Sequence, residues 1–149
     1  MKITKQGFTL VELLVVISIL GILIALSVFG MQGAREASRD GRRKSDLEQI
    51  RSGLEMYKAD CNQGKYLVKA TAGTLSNLVG TIATCGNTNT YISQVPLDPT
   101  STSRSYLYYS ADGSTYQLCA SLEQGGTTIT CGATSNCGGS TCNYRVTNP

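Results

Sequence analysis

The feature that most constrains this chain is an apolar stretch near its amino terminus, from Phe8 to Phe29. The stretch runs for about 22 residues and contains one ionisable side chain, Glu12. As a helix that rises about 1.5 Å per residue, it would be roughly 33 Å long, enough to cross the ~30 Å hydrocarbon core of a bilayer. Because it is apolar on every side, such a helix must lie in lipid or deep within protein.

Glu12 needs a physical explanation, because a charged side chain inside a bilayer costs on the order of 2.5–3.5 kcal/mol. One explanation is a capping box, in which Thr9 and Glu12 satisfy the first amides of the helix. The other requires a cut after Gly7, which would give Phe8 a free amine. That amine, in the same chain or in a neighbouring copy, would then pair with the carboxylate, and Glu12 would serve assembly.

The residues before the apolar stretch predict its orientation. They include Lys2 and Lys5 and no acid, and positively charged flanks stay on the cytoplasmic side. The amino terminus is therefore predicted inside and everything after Phe29 outside. The competing interpretation is an ordinary secretory signal peptide cleaved near 25–27. The apolar run is longer than the usual core of such peptides, however, and their removal would leave Glu12 unexplained.

Composition indicates an exported protein of nearly neutral charge. The net charge of the chain is +3, and the basic and acidic side chains almost balance once Lys2 and Lys5 are removed. This argues against nucleic acid as the main partner, since domains that bind nucleic acid carry a strongly basic face. Six cysteines, all beyond the apolar stretch, predict a disulfide framework in an oxidising compartment. They are Cys61, Cys85, Cys119, Cys131, Cys137 and Cys142.

The pairing of these cysteines stays open at the level of sequence, because several connectivities are possible. Short separations favour joining Cys61 to Cys85 and joining the last two cysteines to each other. Cys119 and Cys131 would lie opposite each other across a tight turn, but they would point to different faces unless a bulge intervenes. A structural zinc is the rival for the last three cysteines. Without histidine or Cys-x2-Cys spacing the match to zinc sites is poor, and no metal site is predicted.

The segment after Gly33 is charged and predicts that the helix continues to Asp60. Between Ser38 and Asp46 it contains no large apolar side chain, so this part is predicted to be solvated or buried only at subunit contacts. Beyond it, four apolar residues recur on one helical stripe, which should be half-buried against a domain. These residues are Leu47, Ile50, Leu54 and Tyr57.

The region from Cys61 to Leu97 is a connection between the helix and a predicted sheet. Within it, the segment 74–83 (TLSNLVGTIA) predicts a short helix. Pro96 and Pro99 favour a rigid extended turn over a central strand.

The carboxyl-terminal third predicts an antiparallel sheet. Strands at Ser105–Ser110 and Ser114–Leu122 flank Asp112-Gly113, the strongest short hairpin signal. A third strand is predicted at Thr127–Cys131. Alternate side chains of the second strand share one face and should cover the apolar stripe of the helix. These are Tyr116, Leu118, Ala120 and Leu122.

Enzymatic chemistry has no support in the sequence. The chain contains no histidine, which excludes Ser-His-Asp and Cys-His arrangements. Asp98 and Asp112 lie in predicted turns that account for them, and no Gly-rich phosphate loop is present. We therefore predict no catalytic residue and no cofactor.

The segment Gly7-Phe8-Thr9-Leu10-Val11-Glu12, after a short basic leader, resembles the processing signature of type IV pilins and type II secretion pseudopilins. Gly64-Lys65-Tyr66, the stretch 95–99 and the tyrosines of the first strand resemble G-type pseudopilins. The resemblance implies the α+β pilin fold, in which one long amino-terminal helix packs on a small antiparallel sheet, here stabilised by disulfides. The acid-rich loop that holds calcium in G-type pseudopilins has no counterpart after Glu123.

The resemblance also implies a function. Prepilin peptidase would cut between Gly7 and Phe8 and methylate the new amine, and Glu12 would register each subunit in a helical filament by pairing with a Phe8 amine. Partners would be copies of the chain itself, the peptidase, an assembly platform protein and an ATPase. The subunit would wait in the cytoplasmic membrane as a single-pass protein before it enters a cell-surface or periplasmic filament.

These inferences divide the chain into a leader at 1–7, a transmembrane and assembly helix at 8–29, an amphipathic helix at 30–60 and an extracytoplasmic domain at 61–149. A type IV pilin is the first hypothesis and the major pseudopilin of a type II secretion system is the alternative. A solitary membrane-anchored extracellular binding module is a third hypothesis, under which Glu12 would be dispensable.

Overall fold

The fold was examined in a computed structural model, which describes residues 7–61 and 63–149. Its first element is the helix α1, Leu10–Asp60. The chain divides into two compact units, one ending at Glu36 and the other spanning Ala37–Pro149. Except for Gly7, the predicted leader lies outside the described residues.

The first unit consists of the apolar part of α1. The large apolar side chains from Leu10 to Val28 are 48–80% exposed, because nothing else in this unit covers them. By length and composition, α1 is the one helix among the described residues that could cross a membrane. The apolar stretch therefore forms a helix that its own unit leaves uncovered.

In the second unit, the rest of α1 packs on a sheet through the stripe predicted from sequence. Leu47, Ile50 and Leu54 are at most 1% exposed. They share one buried cluster, the helix-side core, with Tyr57 and with alternate side chains of the sheet. The predicted contact of Tyr116, Leu118 and Ala120 with the helical stripe is confirmed. Leu122 is buried but lies outside this cluster.

Six strands and a second, short helix follow α1 in the described part of the chain. They are β1 Lys69–Gly73, β2 Leu78–Val79, α2 Ile82–Cys85, β3 Thr90–Ile92, β4 Leu107–Ser110, β5 Gln117–Ala120 and β6 Tyr144–Thr147. The main sheet has four antiparallel strands in the order β1-β4-β5-β6, and a smaller sheet pairs β2 with β3. Together with α1 these elements form the predicted α+β pilin fold.

The predicted hairpin is present, joining β4 to β5 with Tyr108 opposite Leu118. Gly113 has a positive φ of 78° in the connecting loop, a conformation that favours glycine. The Asp112 carboxylate accepts the Ser114 backbone N–H at 3.0 Å and so closes the turn. The Asp-Gly signal therefore located the hairpin.

Two predicted elements were wrong. No strand forms at Thr127–Cys131, and the fourth strand of the sheet is instead β6, which pairs with β5. The predicted short helix at 74–83 does not form: most of the segment has no regular structure, β2 occupies Leu78–Val79, and α2 begins only at Ile82. Thr81 caps α2, its side chain accepting the Thr84 backbone N–H at 3.2 Å, so the cap fixes where the helix starts.

The connection 121–143 between β5 and β6, called here the cystine lobe, covers the other face of the main sheet. Its side chains join Leu107 and Tyr109 of β4 and Cys119 of β5 in a second buried cluster, the lobe core. Half-cystines dominate that cluster. The disulfides join Cys61 to Cys85, Cys119 to Cys131, and Cys137 to Cys142.

Because Cys131 does not lie in a strand paired with β5, the expected conflict between the faces of Cys119 and Cys131 does not arise. Cys131 forms an isolated bridge with Thr134 instead. It approaches the sheet from outside the ladder, and no bulge in β5 is needed.

Candidate assembly site

The start of α1 holds Glu12 in a capping box. The Thr9 backbone N–H and hydroxyl donate to Glu12 Oε2 at 2.9 and 2.7 Å, and the Glu12 backbone N–H donates to Thr9 Oγ1 at 3.3 Å. Two donors at the helix end are satisfied by this reciprocal arrangement. Within one chain the carboxylate therefore already has partners, before any neighbouring molecule is considered.

Gly7 and Phe8 precede the helix and are exposed, Phe8 to 86%. A Cβ added at Gly7 would have no heavy atom within 4 Å. Packing in the described part of the chain therefore does not require a glycine here. The structure brings Gly7, Phe8, Thr9 and Glu12 together at one accessible helix end.

The remaining polar side chains of the apolar helix are satisfied internally. Ser18 Oγ donates to the Leu14 carbonyl and Ser27 Oγ to the Leu23 carbonyl, each at 2.8 Å. Such bonds to the preceding turn leave the surface free of unsatisfied donors. The face presented by this helix is apolar apart from Glu12.

A second polar constellation lies where the sequence predicted solvent. Arg43 is fully buried and its guanidinium contacts three carboxylates. It donates to Asp98 Oδ2 at 2.8 Å, to Asp40 Oδ1 at 2.7 Å and to Glu123 Oε1 at 2.8 Å. We call these four residues the clasp. The prediction that 38–46 is solvated or buried only at subunit contacts was wrong, because side chains from distant loops cover its inner face.

The helix and the turn after β5 are joined by reciprocal hydrogen bonds, with acceptor carboxylates on both elements. The Asp40 carboxylate accepts the backbone N–H groups of Glu123 and Gln124, each at 2.8 Å. In return, Glu123 accepts from Arg39 Nε at 2.7 Å and also pairs with Arg43. This explains why Asp98 and Glu123 are acidic: both are ligands of a buried guanidinium, whereas Asp98 was assigned from sequence to a turn alone.

The clasp keeps its carboxylates ionised. Hydrogen bonds from Arg39, and secondarily from Arg43, lower the pKa of Glu123 to about 2 against the opposing effect of burial. Burial is the largest influence on Asp98 and favours the neutral acid, but bonds from Arg43 and Thr100 outweigh it and lower its pKa. Nearby, Tyr106 donates to Asp46 at 2.8 Å, and burial together with that carboxylate raises the pKa of the phenol.

One signal in the sequence could have located the clasp. Asp40 and Arg43 continue the stripe of Leu47, Ile50 and Leu54 towards the amino terminus with the same helical spacing. Charged residues in phase with a buried stripe can be buried when they are paired.

No group of three or more side chains suited to hold a metal ion is found among the described residues. The six cysteines are all engaged in disulfides, and none of those described is free. The cystines therefore act in the fold of the domain.

Comparison with known proteins supports the family. A family profile described as the prokaryotic N-terminal methylation motif matches residues 3–28. Type II secretion system core protein G of Pseudomonas aeruginosa is 32% identical over 131 residues, 82% of this chain and 88% of that protein. The chain belongs to the family of type IV pilins and type II secretion pseudopilins.

Other members match over shorter spans. Type II secretion system core protein G of Escherichia coli (strain K12) is 36% identical over 64% of this chain and 66% of its own length. Type IV major fimbrial protein FimA of Dichelobacter nodosus is 37% identical over 44% of this chain and 42% of its own. The chain thus spans between two fifths and two thirds of these two relatives. No solved structure matched significantly.

Proposed function

We propose that this member of the pilin and pseudopilin family is a structural subunit of a type IV pilus-like helical filament. Prepilin peptidase cleaves it between Gly7 and Phe8 and methylates the Phe8 amine. The subunit then polymerises through its amino-terminal helix. The observation that carries the proposal is a helix whose large apolar side chains stay 48–80% exposed from Leu10 to Val28, with a carboxylate in its first turn.

The physical argument concerns what covers that helix. Its apolar surface is stable against lipid or against other apolar helices. A filament supplies the second environment once the subunit leaves the cytoplasmic membrane, and the basic leader keeps the amino terminus inside until cleavage. In the filament, pairing of Glu12 with the Phe8 amine of a neighbour offsets the cost of a buried charge.

This pathway assigns partners to the chain. Copies of itself surround the helix, the peptidase acts on the segment around Gly7, and an assembly platform protein with its ATPase extracts the subunit from the membrane. The sequence relatives are pilin and pseudopilin proteins and not enzymes, which supports a non-enzymatic role for this chain.

The second candidate is the major pseudopilin of a type II secretion system. It is favoured by the identity of relatives such as core protein G of Pseudomonas aeruginosa, which aligns over 88% of its own length. The fimbrial relative favours the pilus, and the amino-terminal machinery is common to both proposals. They differ in where the filament ends and in what the cell loses without it.

Glu12 is tested by two substitutions that separate charge from capping. Glu12→Gln keeps an oxygen that can accept from Thr9 but removes the charge, whereas Glu12→Ala removes both. If the carboxylate pairs with a neighbouring amine, both variants insert in the membrane but reduce filament yield at least about tenfold, equivalent to ~1.4 kcal/mol per contact. Glu48→Gln, an exposed acid on the same helix, is the matched control and should assemble normally. Normal filaments with Glu12→Ala would overturn the proposal.

Processing and the type of filament are tested separately. Mass spectrometry of assembled protein should find an amino-terminal methylated Phe8, and Met1 retained in filaments would contradict cleavage. Electron microscopy of cells with and without the gene then distinguishes the candidates. A pilin predicts the loss of surface filaments with unchanged enzyme secretion, whereas a pseudopilin predicts the reverse.

A further inference from the structure

The main sheet carries two different kinds of core on its two faces. On the helix side, Leu118 and Ala120 of β5 belong to a large cluster of aliphatic and aromatic side chains. On the lobe side, Cys119 of the same strand meets Leu107 and three further half-cystines. Apolar area therefore holds the first core together, whereas the second depends mainly on covalent links.

The cystine lobe has little else to bury. Ile129 is its one aliphatic side chain in contact with the lobe core, and it is only partly buried. Its internal backbone bonds are local to the loop, among them Ile129 N–H to the Cys142 carbonyl at 2.9 Å and Cys131 N–H to the Thr134 carbonyl at 2.7 Å. Bonds to the rest of the domain include Ser105 N–H to the Cys137 carbonyl and Gly132 N–H to Gln117 Oε1, each at 2.9 Å. Without the cystines, these hydrogen bonds and one partly buried aliphatic side chain would have to offset the conformational entropy of a long loop.

Both ends of the lobe are fastened to elements that do not need its disulfides. At one end, Asp40 binds the backbone of Glu123 and Gln124. At the other end, β6 begins at Tyr144 and pairs with β5. A local opening would therefore be confined to 125–143 and would leave the helix-side core in place.

We propose that the cystine lobe is a separately closing unit whose closure is driven by oxidation. The helix-side core assembles from apolar side chains, and the lobe then closes when Cys119–Cys131 and Cys137–Cys142 form. The surface presented by 125–143 is thus completed only in an oxidising compartment. This inference does not depend on the proposed filament function.

The chemistry requires a disulfide oxidant, either a thiol–disulfide oxidoreductase or a small disulfide such as oxidised glutathione. One cysteine thiolate attacks the oxidant's disulfide, forms a mixed disulfide and releases one thiol. The second thiolate then displaces the other thiol and forms the protein S–S bond. For each bond, two thiols of the protein lose two electrons and two protons, and the oxidant leaves as two thiols.

The test is amide hydrogen exchange on the full chain in detergent micelles, read by mass spectrometry. One variant replaces Cys119, Cys131, Cys137 and Cys142 by alanine and keeps Cys61–Cys85. The matched control is Cys61→Ala with Cys85→Ala, which removes the disulfide on the helix side. A third sample is the unmodified chain, reduced and then reoxidised with oxidised glutathione.

In the four-cysteine variant we expect amides of 125–143 to exchange at least about 100-fold faster, while those of 47–54 change less than about threefold, since local units open independently. In the control the lobe should exchange as in the unmodified chain. Reduction should open the lobe and oxidised glutathione should restore its slow exchange. The proposal is overturned if the lobe stays protected without its cystines, if 47–54 loses protection together with it, or if the control opens the lobe equally.

Discussion

The Asp40 carboxylate accepts the backbone N–H of Glu123 at 2.8 Å, while Arg43, one turn along the same helix, donates to the Glu123 carboxylate at 2.8 Å. Asp40 on the helix thus binds the backbone of the turn, while Glu123 on the turn binds an arginine of the helix, and Arg43 Nη1 donates to both carboxylates. This arrangement anchors the turn of α1 from Asp40 to Arg43 to the rest of the domain, although that turn has no large apolar side chain.

Arg43→Met should destabilise the domain by about 3–5 kcal/mol, because removing one partner leaves buried carboxylates uncompensated. Arg42→Met is the matched control. Arg42 directly precedes Arg43 in the helix and is exposed, so its loss should change the free energy of unfolding by less than about 0.5 kcal/mol. Urea unfolding followed by circular dichroism measures both. If the two substitutions lowered the free energy of unfolding equally, the clasp would not contribute to the stability of the domain.

Acid should weaken the clasp. The pKa of Glu123 is lowered to about 2 in the folded chain, from an ordinary value of 4.5, so the folded state favours the ionised form. Its contribution is therefore complete above about pH 4.5 and is lost as the pH falls towards 2. The pKa values of Asp40 and Asp98 are lowered as well and add in the same direction. In unfolding curves measured at several pH values, Glu123→Gln should flatten this dependence, and an unchanged slope would contradict the assignment.

Two glycines of α1 should respond oppositely to alanine. A Cβ at Gly53 would collide with the side chain of Ile92, whereas one at Gly41 would meet nothing within 4 Å. We expect Gly53→Ala to cost about 1–3 kcal/mol through overpacking and Gly41→Ala to stabilise the helix by up to ~1 kcal/mol. Thermal unfolding of the two single variants measures these effects, and the double variant Gly53→Ala with Ile92→Ala tests whether the collision with Ile92 is the cause. If it is, the changes in the free energy of unfolding should not be additive, and strict additivity would rule out the collision.

Two buried tyrosines offer a further matched pair. The Tyr116 hydroxyl has no hydrogen-bond partner within the described part of the chain, whereas Tyr106 donates to Asp46. Tyr106→Phe should therefore cost about 1–3 kcal/mol, since it leaves a buried carboxylate unpaired. Tyr116→Phe should be neutral or slightly stabilising. Chemical denaturation distinguishes the two, and a large cost for Tyr116→Phe would indicate a partner such as an ordered water.

Sequence predicted those features that depend on local periodicity. The Leu47 and Ile50 stripe, the Asp112-Gly113 hairpin and the apolar helix each carry their signal within a few residues. The burial of Arg43 does not, because its charge is balanced by Asp98 and Glu123, which are distant in the chain.

The missed strand has a different cause. The segment 127–131 resembles a strand in composition, but β6 takes the place beside β5, and Cys131 is instead joined to Cys119 by a disulfide. Pairing with a distant segment of the chain overrode a weak local preference. For the amino-terminal site, sequence located Thr9 and Glu12 together, and the capping box is the part of that site visible within a single chain.

The internal bonds of Ser18 and Ser27 have a consequence for the way the helix changes its surroundings. Since each hydroxyl is bound to its own preceding turn, neither has to break a contact with lipid or to find one on another molecule. In the filament proposed above, hydrocarbon chains and apolar side chains of neighbouring helices would therefore be nearly equivalent surroundings for this helix. Its transfer from the membrane to the filament would then depend on shape complementarity and on the one carboxylate of Glu12, without any rearrangement of serine hydrogen bonds.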